Sequence, residues 1–239
     1  MKTLRGLRSW DVQSAVLFKD KNIVALNKPS GLSVHPGPRV KNHVLEYLET
    51  LKNEFSERPQ LIHRLDKDTS GILLLSTHKK AARLFAQYFH DGFVKKIYWA
   101  IAVGRPELCQ GRVIAPIQYL PTQKGYYRLS VVRHRKGQKM SVTDYQQLAF
   151  SSDCCLLELS PITGHKHQLR VHASQILRCP ILGDSKYGSA PVTSRQTPLH
   201  LHAKQITVKS YYGMGRDLIV TAPLPNYFTN TIIREGLYN

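Results

Sequence analysis

The sequence predicts an α+β fold, a single domain built on a mixed, largely antiparallel β-sheet with flanking helices and loops. Three observations lead there. Candidate strands arrive in runs and alternate only partly with helical patterns, which disfavours a doubly wound parallel sheet. The chain of 239 residues is long enough for a sizeable core. Its 42% hydrophobic and 21% charged residues are ordinary for a folded protein, with no low-complexity tract and no repeat at a period of 20 to 50 residues.

Residues 1–11 read as a loose basic segment, and residues 12–239 as the domain. Val16 to Asn27 carries two short apolar runs, AVLF and IVALN, split by the turn-like Lys19-Asp20-Lys21-Asn22, which suggests a hairpin. Lys28 to Arg39 is a Pro/Gly-rich loop, and Asn42 to Asn53 fits an amphipathic helix that Asn42 could cap. Ile72 to Ser76 is a buried strand candidate. Thr77 could cap the helix that follows, which runs to about His90 with Ala81, Leu84, Phe85 and Tyr88 on one face, before Asp91-Gly92 breaks it. Val94 to Val103 is a strand whose alternation sets Ile97, Trp99 and Ile101 against Lys96, Tyr98 and Ala100. Further strands are expected at Ser141 to Leu148, Cys154 to Leu159, Gln205 to Lys209 and Leu218 to Thr221, and a helical period at His167 to Leu177.

The charge balance narrows the partner. Thirty-four Lys and Arg against sixteen Asp and Glu leave a net +18. Nucleic acid is the first candidate, because each phosphate neutralised by a cation releases counterions. A membrane surface is the rival, but the basic residues are scattered through folded-looking segments and form no juxtamembrane block. The four cysteines form no CxxC pair and no Cys/His metal spacing, which fits a reduced, cytoplasmic protein. No apolar run approaches the roughly 18 residues of a spanning helix, and the N-terminus has no sustained apolar stretch of the signal-peptide kind.

Three segments could carry chemistry, one of them the strand Lys95 to Pro106, whose Tyr98 is by default an edge or core tyrosine but could stack on an unstacked base. In HRLDKDTSG, His63 to Gly71, either Asp66 or Asp68 could simply cap turn amides, since surface ion pairs and Asx turns are common. The cluster nonetheless stands at the mouth of an apolar strand, where a rigid scaffold can present a loop, and a nearby guanidinium would keep an Asp ionised for use as nucleophile or base. In TGHKHQLRVH, Thr163 to His172, three His lie at spacings that do not converge on one ion along a helix, so no metal is expected.

Together with NKPSGLSVHPG, KKIYWAIAVG, PITGHKHQLRVH, PILGDSKYG, LHLHA and APLP, the HRLDKDTSG segment resembles the RluA-type family of pseudouridine synthases, in the form without a separate N-terminal RNA-binding domain. The resemblance implies an enzyme that isomerises a specific uridine in RNA to pseudouridine with no cofactor and no metal. It implies Asp66 as the catalytic aspartate, Tyr98 as the tyrosine stacking on the target base, and Arg170 as the arginine that ion-pairs with the aspartate. Arg64 would reach into the RNA, and His165 and Lys166 would contact it. His165 stands where the family usually has Arg, so one phosphate contact is expected to be weaker.

Asp68 occupies a variable position of the family motif and reads as a turn residue. Without an added domain, recognition falls to the catalytic domain's own basic surface, with Arg128 to Lys139 the leading candidate. The expected partner is a tRNA or rRNA stem-loop, bound by a monomer. The alternative is a non-catalytic RNA-binding protein that keeps the fold. A hydrolytic glycosidase would need paired carboxylates about 5 to 10 Å apart, and no second acidic motif offers them.

Overall fold

The computed structural model describes residues 10–37, 40, 42–51, 55, 57–122, 127–188, 197–213 and 215–238. Most of the basic N-terminal segment and the end of the Pro/Gly-rich loop, residues 38–39, lie outside the described residues. The described chain gathers into two compact units, residues 1–96 with 202–225 and residues 97–201 with 226–239.

The first unit is built on β1 (Val16–Lys19), β2 (Ile23–Lys28) and β4 (Ser70–Ser76), joined by β11 (Leu201–Val208) and β12 (Leu218–Thr221). β1 and β2 form the expected hairpin, β2 pairs antiparallel with β4, and the two-residue β3 (Gln60–Leu61) pairs with the far end of β4. β11 runs parallel to β4 through His202 opposite Ser70 and Ala203 opposite Gly71, which makes the sheet mixed. All seven residues of β4 are buried. A strand covered on both faces needs no polar alternation, which accounts for the unbroken apolar run Ile72 to Leu75. Ile23, Ala25, Ile72, Leu74, Phe85, Ile206 and Val220 share one core.

Helix α1 spans Val44–Leu51, so the residue before it is His43 and not Asn42. The His43 N–H donates to Glu46 Oε2 at 3.4 Å, half of a capping box. Helix α2 spans Lys79–His90, and its N-cap is His78, whose Nδ1 accepts from the Ala81 N–H at 3.2 Å. Thr77 is instead buried, its hydroxyl donating to the Lys21 carbonyl at 2.5 Å, because the long-range partner outcompetes a local cap.

The second unit stacks β5 (Val94–Val103, from Ile97 onward), β10 (Cys154–Pro161), β9 (Ser141–Phe150) and β6 (Gln110–Ala115) in antiparallel order. A separate hairpin, β7 (Ile117–Pro121) with β8 (Tyr127–Val131), packs Leu129 against Val171 and Tyr187. The helical period after His167 is realised as a short α3 (Gln168–Val171) that widens into a π-turn at His172–Ile176. Helix α4 spans Asn226–Glu235. Strands β6, β7 and β8 and helix α4 extend the sequence reading. Exposed residues interrupt their patterns, and Leu120 and Tyr127 point apolar surface outward.

Candidate active site

The HRLDKDTSG loop is held from below by a buried lysine. Lys28 ends β2 with no exposed surface, and its Nζ donates to the carbonyls of Pro29, Leu32 and Lys67 at 2.9, 2.9 and 3.0 Å. Burial pulls its pKa down to about 7, opposed by the negative charges of Asp68 and Asp66. Three carbonyls match the three protons of an ammonium, so the cage is shaped for the cation. The neighbouring Pro/Gly turn adds two more ties. Gly31 N–H donates to the Lys67 carbonyl at 3.0 Å, and Ser30 Oγ donates to the Asp68 carbonyl at 2.7 Å. Thr69 N–H closes the turn on the Asp66 carbonyl at 3.2 Å. The backbone from Asp66 to Thr69 is thereby pinned, while Asp66 itself stays half-buried and Arg64 is exposed.

The entry to β4 is equally constrained. His63 Nε2 accepts from the Leu74 N–H at 2.8 Å, and burial together with Lys96 lowers its pKa to about 3, which keeps the ring neutral and able to accept. Ser70 Oγ lies 2.9 Å from His202 Nδ1. Gly71 has φ +102°, and a Cβ there would lie 2.3 Å from the Ala203 carbonyl oxygen. Glycine is thus required at the end of TSG by a neighbouring backbone, and the LHLHA segment supplies that backbone.

In the second unit, Tyr98 lies on β5 opposite Leu159 of β10 and is buried. Arg170 lies on α3 between Leu169 and Val171, all three buried. Its guanidinium makes a fork with Asp184, Nε to Oδ2 at 2.8 Å and Nη2 to Oδ1 at 2.6 Å, with side-chain exposures of 3% and 0%. Asp184 Oδ1 also accepts from the backbone N–H groups of Lys186 and Tyr187 at 2.9 and 3.0 Å. Burial pushes the Asp184 carboxyl up, but Arg170 and the amides outweigh it and hold the group below its ordinary value. Gly183, just before it, has φ +79°, and a Cβ would meet the Pro198 carbonyl oxygen at 2.1 Å, so this turn too is set by close backbone contact.

His165 is exposed. Its Nδ1 lies 2.9 Å from Ser141 Oγ and its backbone N–H donates to Gln168 Oε1 at 3.1 Å. Lys166 is exposed beside it. His167 is in the left-handed region at φ 53°, and its Nδ1 pairs with the Tyr187 hydroxyl at 2.7 Å. His172 is buried against Thr143 Oγ1 at 2.9 Å. The three histidines thus have three different partners. Among the described residues no group of three or more His, Cys, Asp or Glu could hold a metal ion. No helix among them is long and apolar enough to cross a membrane.

The sequence reading attached no role to Lys28, Asp184 or His202. A signal existed for Asp184, since an Arg flanked by Leu169 and Val171 on a buried helix must find a carboxylate. Asp66 and Arg64 belong to the first unit and Tyr98, Arg170, His165 and Lys166 to the second.

Comparison with known proteins settles the lineage. Residues 22–175 match the family described as RNA pseudouridylate synthase. The chain is 35% identical to mouse pseudouridylate synthase RPUSD4, mitochondrial, across 95% of its length and 70% of that protein. It is 35% identical to ribosomal large subunit pseudouridine synthase C of Rickettsia bellii, across 89% of its length and 69% of that protein. Its fold is similar to that of human RNA pseudouridylate synthase domain containing 4, with a TM-score of 0.80, 33% identity and 95% of each chain covered. A mixed, largely antiparallel sheet, the pinned HRLDKDTSG loop and these likenesses together identify the chain as a member of the RNA pseudouridylate synthase family, and its activity as that of a pseudouridine synthase.

Proposed function

We propose that this enzyme acts on one uridine in a structured tRNA or rRNA, that Asp66 performs the chemistry, and that Tyr98 and Arg170 serve it. The observation that carries this reading is the pinning of the backbone just after Asp66 by Lys28, Ser30 and Gly31, which fixes the main chain that carries a half-buried carboxylate. A fixed carboxylate suits a reaction that breaks the glycosidic bond, lets the base rotate and rejoins the sugar to carbon 5. Asp66 would either attack the anomeric carbon or take a proton from its neighbour. Tyr98 would stack on the extruded base, and Arg170, oriented by Asp184, would supply fixed positive charge. Arg64, His165 and Lys166 are surface groups suited to phosphates.

The name of the Rickettsia relative favours an rRNA target, and the net charge of +18 suits any stem-loop. On this reading the protein works as a monomer, without cofactor or metal, in a reducing compartment such as the cytoplasm, which its four free thiols tolerate. The test is Asp66→Asn. It is expected to abolish pseudouridine formation in RNA from cells carrying only the variant, mapped site by site against the wild type, while RNA binding changes little. Full turnover by the variant would remove Asp66 from the mechanism.

A further inference from the structure

The geometry points to a second nucleotide subsite in the cavity between the β7–β8 hairpin and the Lys166–Tyr187 loops, which we infer takes an unstacked nucleotide of the RNA other than the target uridine. This inference rests on the reading of RNA as substrate. The cavity is about 340 Å³, the low end of small-ligand sites, which suits one nucleotide and excludes a helix. Its wall carries Tyr119 and Tyr127, 52% and 70% exposed, large aromatic rings left in water on a hairpin rim. Arg128, Lys166 and Lys186 supply positive charge, and among the described residues no carboxylate lines it. An open phenol ring offers a base its face, and a ring of cations offers its phosphate partners; together they suit a single-stranded nucleotide better than an acidic peptide.

The floor is Tyr187, buried, with its hydroxyl held by His167. The Arg128 guanidinium lies 4.7 Å from the Tyr187 ring centroid and that of Arg170 lies 5.3 Å from it. One ring therefore touches both a cation of the cavity wall and the candidate catalytic arginine, which suits the subsite to a nucleotide flanking the target. None of Asp66, Tyr98 or Arg170 lines the cavity, so it is not the target's own pocket.

The experiment measures binding of a fluorescent mixed-sequence RNA 12-mer at fixed salt. Tyr119→Ala and Tyr127→Ala are each expected to weaken it by about 5- to 150-fold, the usual worth of a stacked base. Tyr127→Phe should restore it, since the ring and not the hydroxyl stacks, and Lys186→Gln should lower the salt slope by about one. Turnover assays should show raised KM with kcat little changed. Wild-type affinity in a folded Tyr119→Ala/Tyr127→Ala double variant would overturn the subsite. Should that variant fail to fold, photocrosslinking of wild-type enzyme to 4-thiouridine-labelled cellular RNA decides: adducts on the cavity wall support the proposal, and adducts only elsewhere overturn it. Tight binding of free uridine 5′-monophosphate, with no competition from the 12-mer, would reassign the cavity to a small effector. None of these results depends on Asp66→Asn, so the subsite can fall while the reaction stands, and the reverse.

Discussion

The loop around Asp66 and the cavity rim around Tyr119 and Tyr127, both proposed to meet RNA, are built in opposite ways. At the loop, the main-chain carbonyls just after the candidate catalytic residue are tied to a buried ammonium, a serine and a glycine amide. At the rim, two exposed rings and long cationic side chains stand on a hairpin. Bond rearrangement rewards a group that is already in place, whereas recognition of a flexible strand rewards side chains that can adapt. The rim still rests on a rigid base, the Arg170–Asp184 fork beneath Tyr187.

Acid should produce the largest effect and sharpen the comparison. His63 and His202 in the first unit are lowered from 6.5 to about 3 and about 4, and His167 and His172 in the second to about 3 and about 4, burial being the first cause in each. Between those values and 6.5 the unfolded chain takes up protons that the folded chain refuses, so stability is lost as pH falls through that window. The two tryptophans fall one in each unit, Trp10 and Trp99, so Trp10→Phe and Trp99→Phe variants report the units separately. Fluorescence-monitored urea midpoints should fall for both between pH 7 and pH 4.5; flat midpoints would mean the histidines are not held neutral.

Asp184→Ala comes next, with an expected loss of about 3–5 kcal/mol in urea unfolding, because it breaks a buried, forked ion pair by removing one partner. A loss under about 1 kcal/mol would show the fork is not what holds the base of the rim. Gly71→Ala must displace the Ala203 backbone and adopt a positive φ, at a cost of about 3 kcal/mol or more by the same measurement. A near-wild-type midpoint would mean the entry to β4 is looser than its contacts suggest. Lys28→Met removes the ammonium and strands three carbonyls, at about 1–3 kcal/mol. Its telling readout is turnover, where kcat should fall more than KM rises. Unchanged kcat would show that the cage serves folding alone.

Much of this was legible in the chain. Apolar runs between turn residues located the β1–β2 hairpin, β4, β5 and β12 closely, because a strand's period and its breakers are local properties. Strands β6 to β8 and helix α4 escaped because exposed faces and short lengths dilute that period. Thr77 and His78 exchanged roles because a cap can be outbid by the distant Lys21 carbonyl.

The sequence by itself determined the ordered motifs and the excess of positive charge, since these rest on residue type and spacing along the chain, and the preference for Asp66 over Asp68 came from the family resemblance those motifs carry. Only the tertiary structure decided that Lys28 anchors the Asp66 loop, that Asp184 orients Arg170, and that Ala203 makes Gly71 obligatory. Each of those pairings joins residues at least a dozen positions apart. Burial makes an unpartnered charge or a misplaced Cβ costly, and which partner answers that cost depends on where the folded backbone brings it.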